Sequence, residues 1–428
     1  MRPLVFASLF ASSLAAAPAG AQQQDGGKKA APADAPPPAE QPAEKPVRFR
    51  SFPAADGVPF DVADATARGV EALLRLPEGD GHDQWPYEGV YREDGGQLPV
   101  GYRVGGTSIV CLALIAAPGF ARDSARHDAL ARGVGFVLQT LEHPRMGKDF
   151  IGTYDVRGWG HIYALQLFLH LLDRGLVPPA HAAAVADKTR WLVTALCESA
   201  IPETGGWNYA RSAGYQDPRS QASTFMTAPA LQALFHAKAR GYEVADTVLD
   251  QALDALERAR SQNAGYAYGA PRTSRNDVDE EKLSMMDKVG SSAARATAVE
   301  TTLLLAGRGD PARLRRAIGR FFEHWDDLAV RKSQTGTHIM PFGIAPYYFL
   351  YGHVYAAQAI EMLPDGDDKL ALRGKLLAFL TRSRDGDGSW NDRQFDRSAG
   401  YGTAMAILAM RMPWLPTPVA RPLPAKKG

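Results

Sequence analysis

The sequence predicts an all-α fold, an (α/α)6 toroid, on the basis of two observations. A pair of helical segments recurs with a period of about sixty residues, which indicates a repeat architecture. In each pair the first segment has one polar face, whereas the second, such as 161–172 ("HIYALQLFLHLL"), is apolar nearly all round. Six hairpins can bury these second helices by closing into an inner ring within an outer ring. An open helical solenoid is the alternative, but it does not need helices buried on all sides.

Helix start signals and apolar periodicity define each hairpin. Asp310 and Pro311 suit the N-cap and the first position of a helix, and Asp246 and Asp367 are candidate caps of two others. Because of Pro229, the third inner helix is predicted to begin near Thr227. The predicted outer helices are 62–76, 125–141, 181–199, 246–261, 311–325 and 367–382. The inner helical segments are 105–117, 157–173, 219–240, 290–307, 343–362 and 397–412, and in the third of them 220–226 is predicted to be a separate turn before the helix.

The loops between these helices are unequal in length. Connections from an inner helix to the next outer helix are short, as at 239–243 and 307–309. Connections from an outer to an inner helix are long, as at 77–104, 200–218 and 262–289. All connections of one kind lie at the same end of a toroid, so a ligand site is expected at the end that carries the long loops.

Both chain ends are predicted to lie outside the toroid, which spans 51–415. Residues 1–21 combine Arg2, an apolar run and small residues at 19–21, a pattern typical of a secretory signal peptide. Residues 22–50, rich in Ala, Pro and Gln, predict a disordered linker, and 416–428 form a Pro-rich tail. The protein is therefore predicted to be secreted or periplasmic, with no transmembrane anchor in the mature chain.

The charge balance gives no reason to expect nucleic acid or an anionic membrane surface as a partner. Lys and Arg number 48 against 47 Asp and Glu, so the net charge gives no case for nucleic acid. Cys111 and Cys197 belong to the first inner and the third outer helix, and we expect them to be too far apart to form a disulfide. No cofactor and no metal ion is predicted, and the partner is expected to be an extracytoplasmic ligand.

Three loop segments carry a recurring turn in which glycine precedes an aromatic residue. They are "FLTRSRDGDGSWND" (379–392), "LCESAIPETGGWNYAR" (196–211) and, more weakly, "RARSQNAGYAYG" (258–269). This pattern resembles the repeat of the squalene–hopene cyclase and protein prenyltransferase superfamily, in which Gly-x-Trp turns tie helical hairpins together. Over 58–412 the resemblance implies an (α/α)6 toroid with a central cavity.

The catalytic motifs of that superfamily are missing from this sequence. The Asp-x-Asp-Asp acid of class II terpene cyclases does not occur, and the nearest run is "DVDEE" (277–281). The Asp-x-Cys pair of the zinc prenyltransferases is absent, because Ile109 and Ala195 stand two residues before the two cysteines. "RDGDGSWND" (384–392) also departs from a calcium-binding loop, so we interpret it as a turn whose Trp390 packs between hairpins.

Four residues are candidates for catalysis: Asp155, His161, Asn208 and Tyr209. A histidine at the start of a buried helix can act as a general base, because burial lowers its pKa. On a toroid these residue types resemble those of polysaccharide lyases, in which an amide neutralises a uronate carboxylate while Tyr or His removes a proton. The alternative for His161 is a hydrogen-bonded core histidine. The alternative for Asn208 and Tyr209 is that they only flank Trp207, which ties its hairpin.

Seven further residues are predicted to bind a ligand at the loops or the cavity wall. Tyr347 and Tyr351 are four apart on an inner helix, an arrangement that can line a cavity, although such stripes also form cores. The acidic loop 275–288 is interpreted as a solvated flap. The predicted ligand-binding residues are Trp159, Tyr163, Arg211, Tyr347, Tyr351, His353 and His338.

The leading functional prediction is an exported binding or scaffold protein that uses its loop mouth and aromatic cavity for an extracytoplasmic ligand or partner. The expected ligand is a glycan or an apolar small molecule. The first alternative is a glycan-acting lyase or hydrolase at the same cavity. A divergent terpenoid cyclase is the third.

Overall fold

The part of the chain that the computed structural model describes contains thirteen α-helices. All of them belong to one compact unit, Ala39–Gly428. The described residues are 60–89, 92–149, 156–208, 220–261, 265–272, 289–332, 348–392 and 395–422. The helices are α1 (Val62–Arg75), α2 (Val100–Ala116), α3 (Ser124–Thr140), α4 (Arg157–Arg174), α5 (Ala182–Glu198), α6 (Thr224–Ala239), α7 (Asp246–Arg258), α8 (Val289–Leu305), α9 (Pro311–Glu323), α10 (Trp325–Arg331), α11 (Tyr348–Glu361), α12 (Asp367–Ser383) and α13 (Ala399–Arg411).

Six helices form a closed inner ring. The helix α2 contacts α4, which contacts α6, and the contacts continue through α8, α11 and α13 back to α2. The outer helices α1, α3, α5, α7, α9 and α12 each precede one ring helix, so the chain forms six hairpins. This closure confirms the (α/α)6 toroid. An open solenoid would lack the contact between α13 and α2.

The polar start signals of the outer helices work as predicted at one position and are shifted at two. Asp310 accepts a hydrogen bond from the backbone N–H of Ala312, and Pro311 is the first helical residue. Asp246 and Asp367 are not N-caps but the first residues of α7 and α12. Their carboxylates still favour the helix there, because they lie beside the positive end of the helix dipole.

The start of α6 differs from the prediction, since the helix begins at Thr224 and runs through Pro229. A proline in a helix leaves the carbonyl four residues earlier without its usual donor. Here that carbonyl belongs to Phe225, and the Tyr351 hydroxyl donates to it at 3.4 Å. Another ring helix, α11, therefore supplies the hydrogen bond that proline removes, and α6 continues.

Three tryptophans tie the two helices of their hairpins with the same pair of hydrogen bonds. The indole N–H of Trp390 donates to Leu380 O (2.8 Å), and its backbone N–H donates to the Thr403 hydroxyl (3.0 Å). Trp207 repeats this with Leu196 O and Thr227, and Trp85 with Leu73 O and Thr107. The structure confirms the predicted ties at Trp390 and Trp207 and adds a third at Trp85.

The aspartates around Trp390 serve the turn and the core. Asp387 accepts hydrogen bonds from the backbone N–H and the hydroxyl of Ser389, which holds the pKa of Asp387 below its usual value. Asp392 is fully buried and accepts a hydrogen bond from the Tyr87 hydroxyl at 3.0 Å. Within the described ranges, no cluster of His, Cys, Asp and Glu is arranged to hold a metal ion.

Cys111 and Cys197 are both free thiols, as predicted. Burial raises the pKa of Cys111 to about 12 and that of Cys197 to about 11. None of the described helices is long and apolar enough to cross a membrane. The predicted signal peptide, the linker and the acidic loop 275–288 lie outside the described residues.

Candidate functional site

A cavity of about 190 Å³ lies inside the ring, among the C-terminal halves of five inner helices. These halves point to the end that carries the short inner-to-outer loops. The loop lengths predict a ligand site at the opposite end, where much of the long loops lies outside the described residues. Most of the cavity wall is apolar and consists of Ile109, Leu112, Ile115, Val354, Met405 and Leu408.

The other half of the ring is filled by aromatic side chains. Trp159 is 5% exposed and packs against Tyr102, Tyr401 and Tyr163, with ring centroids 5.8, 6.2 and 5.1 Å away. Tyr351 packs against Phe225 at 4.6 Å in the same way. Two predicted ligand-binding residues, Trp159 and Tyr351, are thus packed into the core of the ring.

Tyr163 lies where the aromatic core meets the cavity, and it is the one predicted ligand-binding residue on the cavity wall among the described residues. Tyr355 stands beside it on α11 and also lines the cavity. Burial raises the pKa of Tyr163 above its usual value, and the hydroxyl of Tyr355 offsets part of that effect. Both phenols are therefore protonated at neutral pH and can donate a hydrogen bond.

A pair of glutamine side chains forms the uncharged polar part of the wall. The Gln232 and Gln358 amides exchange two hydrogen bonds, each 3.0 Å long, between α6 and α11. Gln232 also donates to the Thr302 hydroxyl on α8 at 2.9 Å, so this pair joins three ring helices. A primary amide has two N–H donors and two acceptor lone pairs, so the pair keeps hydrogen-bonding capacity for a ligand.

The charged part of the wall is formed by the last turns of α4 and α6. Asp173 accepts a hydrogen bond from His236 Nε2 at 2.5 Å and forms an ion pair with Arg240. The ring of His170 lies edge-on to His236, with centroids 5.3 Å apart. Burial lowers the pKa of His170 to about 4, with a smaller effect from His236, so His170 is neutral at pH 7.

Residues 412–422, here called the strap, pass across this end of the ring and form part of the cavity wall through Leu415–Val419. The strap leaves α13 and ends against α7 and α8, on the far side of the cavity. There the Arg421 backbone N–H donates to Leu305 O at 2.9 Å. Its guanidinium pairs with Asp250 at 2.6 Å and with Asp246 at 3.1 Å.

The attachment of the strap is expected to weaken in acid. The hydrogen bond from Arg421 lowers the pKa of Asp250, and those from Lys238 and Arg421 lower that of Asp246. A folded-state pKa below the unfolded value gives stabilisation that is present above a pH of about 4 and lost as the pH falls through the folded pKa. Hydrogen exchange of 412–422, corrected for intrinsic rates, should show protection at pH 7 and less at pH 3.

A substitution at neutral pH tests the same attachment. We expect Asp250→Asn to reduce the protection of the strap at pH 7. The matched control is Asp254→Asn on the same helix, which breaks an ion pair with Arg308 and does not touch Arg421. Equal protection in the two variants would contradict the role of Arg421 as the anchor.

The predicted catalytic histidine, His161, is fully buried between α4 and α5. Its Nε2 donates to Met146 O at 3.0 Å, its ring lies edge-on to Trp191, and its Nδ1 has no hydrogen-bond partner among the described residues. Burial lowers the pKa of His161 to about 3. His161 does not line the cavity, and its catalytic role stays a prediction.

Asn208 and His353 are also engaged away from the cavity. The Asn208 amide donates to Gln221 O at 2.7 Å, and none of the contacts of His161 is with Asn208. His353 donates from Nδ1 to Phe349 O and accepts from the Trp325 indole at Nε2, both at 2.8 Å, so both ring nitrogens are satisfied. Outside the described residues lie Asp155, Tyr209, Arg211, His338 and Tyr347.

Sequence reasoning missed the polar residues of the cavity, although the sequence contains a signal for them. Gln166 and His170 are four apart on α4, and Gln232 and His236 are four apart on α6. A spacing of four puts each pair on one face of its helix. A polar stripe along an otherwise buried inner helix needs partners or a cavity, so this stripe is the signal that could have located the cavity.

Comparison with known proteins found similar solved structures but no family. No protein-family profile matches the chain, and no curated protein matches it. A type II terpene cyclase from Scytonema is 14% identical, with a TM-score of 0.48 over 83% of this chain and 98% of that one. A GH76A α-1,6-mannanase from Salegentibacter is 11% identical, with a TM-score of 0.47 over 82% and 99%. A possible member of the GH105 family from Salmonella enterica is also 11% identical, with a TM-score of 0.43 over 86% and 96%. At these identities and TM-scores the likeness carries no argument about what this chain does.

Proposed function

We propose that the chain is an exported ligand-binding protein whose site is the cavity beneath the strap. The observation that carries the proposal is the composition of the cavity wall. A mostly apolar surface holds a few convergent polar groups, the Gln232–Gln358 pair and the phenols of Tyr163 and Tyr355. Apolar pockets with a small number of placed polar groups are typical of small-molecule sites.

Binding is favoured over glycan hydrolysis by the charges at the wall. Glycoside hydrolysis uses two carboxyl groups on either side of the scissile bond. Among the described residues that line the cavity, Asp173 is the one carboxylate, and His236 and Arg240 already engage it. The resemblance to the squalene–hopene cyclase repeat supports the hairpin ties but brings no catalytic acid to this cavity.

A substitution that fills the cavity tests the proposal. Val354 lines the cavity from α11 and is partly exposed within it. Small molecules that bind the purified protein in a thermal-shift screen should bind Val354→Phe at least tenfold more weakly by calorimetry, because the larger ring occupies their space.

The control is Val330→Phe on α10, where the side chain is 50% exposed and does not line the cavity. Its affinities should equal those of the original protein. If no compound binds, or if binding survives Val354→Phe unchanged, the cavity is not the site.

A further inference from the structure

Arg174, the last residue of α4, lines the cavity and makes one hydrogen bond with the described residues. Its Nη1 donates to Ile115 O at 2.8 Å, and it makes no ion pair with any described residue. Burial lowers the pKa of Arg174, which nevertheless stays cationic, as an arginine does in proteins. A guanidinium has five N–H donors in a planar fork. Most of these donors therefore have no acceptor among the described residues, although the side chain is half-buried.

The adjacent acid does not neutralise this cation. Neighbouring residues on a helix project in different directions, and Asp173 points to α6, where His236 and Arg240 bind both of its oxygens. A ligand anion would experience some repulsion from Asp173, but Arg240 compensates that charge. Among the described residues of the wall, the charge that no opposite charge compensates is therefore the positive charge of Arg174.

A second donor stands one turn before Arg174 on the same face of α4. His170 lines the cavity and makes no hydrogen bond with the described residues; its one recorded ring contact is with His236. Because its imidazole is neutral, it carries one N–H donor and one acceptor nitrogen. The spacing of four residues places this ring and the guanidinium at the same side of the cavity.

We infer that the ligand is a small carboxylic acid with an apolar body, whose carboxylate binds Arg174. This inference rests on the proposed function and names the class of its ligand. The planar fork of arginine matches a carboxylate with two parallel hydrogen bonds, and His170 supplies a further donor. The apolar body lies against Ile109, Leu112, Val354 and Leu408. A phosphate dianion would need more cationic groups than this wall offers.

Isothermal titration of the full chain with two matched series tests the inference. The first series is the straight-chain monocarboxylates from butanoate to decanoate, and the second is the primary amides of the same lengths, all at pH 7. We expect the best carboxylate to bind at least tenfold more tightly than its amide. We also expect Arg174→Met, which keeps much of the apolar stem, to weaken the carboxylate at least tenfold and the amide less than threefold.

The matched control is Arg190→Met on α5, where the side chain is 69% exposed, and it should change neither affinity. Amides that bind as tightly as the acids, or a carboxylate affinity unchanged in Arg174→Met, would overturn the inference but leave a ligand-binding cavity. If neither series binds, and the compounds of the thermal-shift screen also fail to bind, both proposals are wrong. The acid–amide comparison needs no variant, so it decides the inference even if Arg174→Met does not fold.

Discussion

Trp390→Ala is expected to lower the free energy of unfolding by about 3–5 kcal/mol, as for other large-to-small changes of a buried tryptophan. The side chain is fully buried, and its indole N–H satisfies the Leu380 carbonyl in the last turn of α12. Removing the ring leaves a cavity between the helices of the last hairpin and a buried carbonyl without its donor. That hairpin closes the ring, because α13 contacts both α2 and α11.

Two further variants separate the ring from the hydrogen bond. Trp390→Phe keeps much of the packing and loses the indole donor, so we expect about 1–3 kcal/mol of destabilisation. Trp414→Ala is the matched control, since Trp414 is partly exposed and its recorded ring contact is with Arg411, 4.2 Å from the centroid. It should cost no more than about 1 kcal/mol. Denaturation by guanidinium measures all three, and equal losses for Trp390→Ala and Trp414→Ala would contradict the tie.

The architecture could be predicted because its signals are local and repeated. Apolar periodicity located the six hairpins, and the Gly-x-Trp turns located two of the three ties. The tie at Trp85 was missed because "DQWPY" lacks the glycine that marks the other turns. The predicted start of α6, near Thr227, was three residues too late. Proline normally ends a helix because a backbone hydrogen bond is lost, but here the Tyr351 hydroxyl of another helix replaces that bond.

The candidate site could not be predicted in the same way, because it depends on which side of each inner helix faces the ring axis. His161 and His353 stand out in the sequence, yet each faces the outer helices, where it packs against tryptophan. His170 and Arg174 attract less notice, and they face the cavity. The strap adds a further non-local feature, since Arg421 binds acids about 170 residues earlier in the chain.

Gly402→Ala should destabilise the protein, although alanine is the better helix former. A Cβ at Gly402, on α13, would lie 2.3 Å from the carbonyl oxygen of Trp390. That atom belongs to the backbone of the tie, so it cannot move without disturbing both hydrogen bonds of Trp390. Overpacking of this kind costs about 1–3 kcal/mol, and the gain in helix propensity is up to about 1 kcal/mol. A net loss of about 1–2 kcal/mol is therefore expected from guanidinium denaturation.

Gly319→Ala is expected to change the free energy of unfolding in the opposite direction, towards higher stability. Gly319 is exposed in the interior of α9, and an added Cβ would meet no atom within 4 Å. The substitution should raise the free energy of unfolding by about 0.5–1 kcal/mol, because alanine loses less backbone entropy on folding. If both variants stabilised the protein, the close approach of α13 to the Trp390 turn would not be required.

Gly106 provides an independent test in the first hairpin, since a Cβ added there would lie 2.4 Å from the carbonyl oxygen of Trp85. Loss of stability in Gly106→Ala and Gly402→Ala, against a gain in Gly319→Ala, would show that glycine is used in both hairpins to admit the tie.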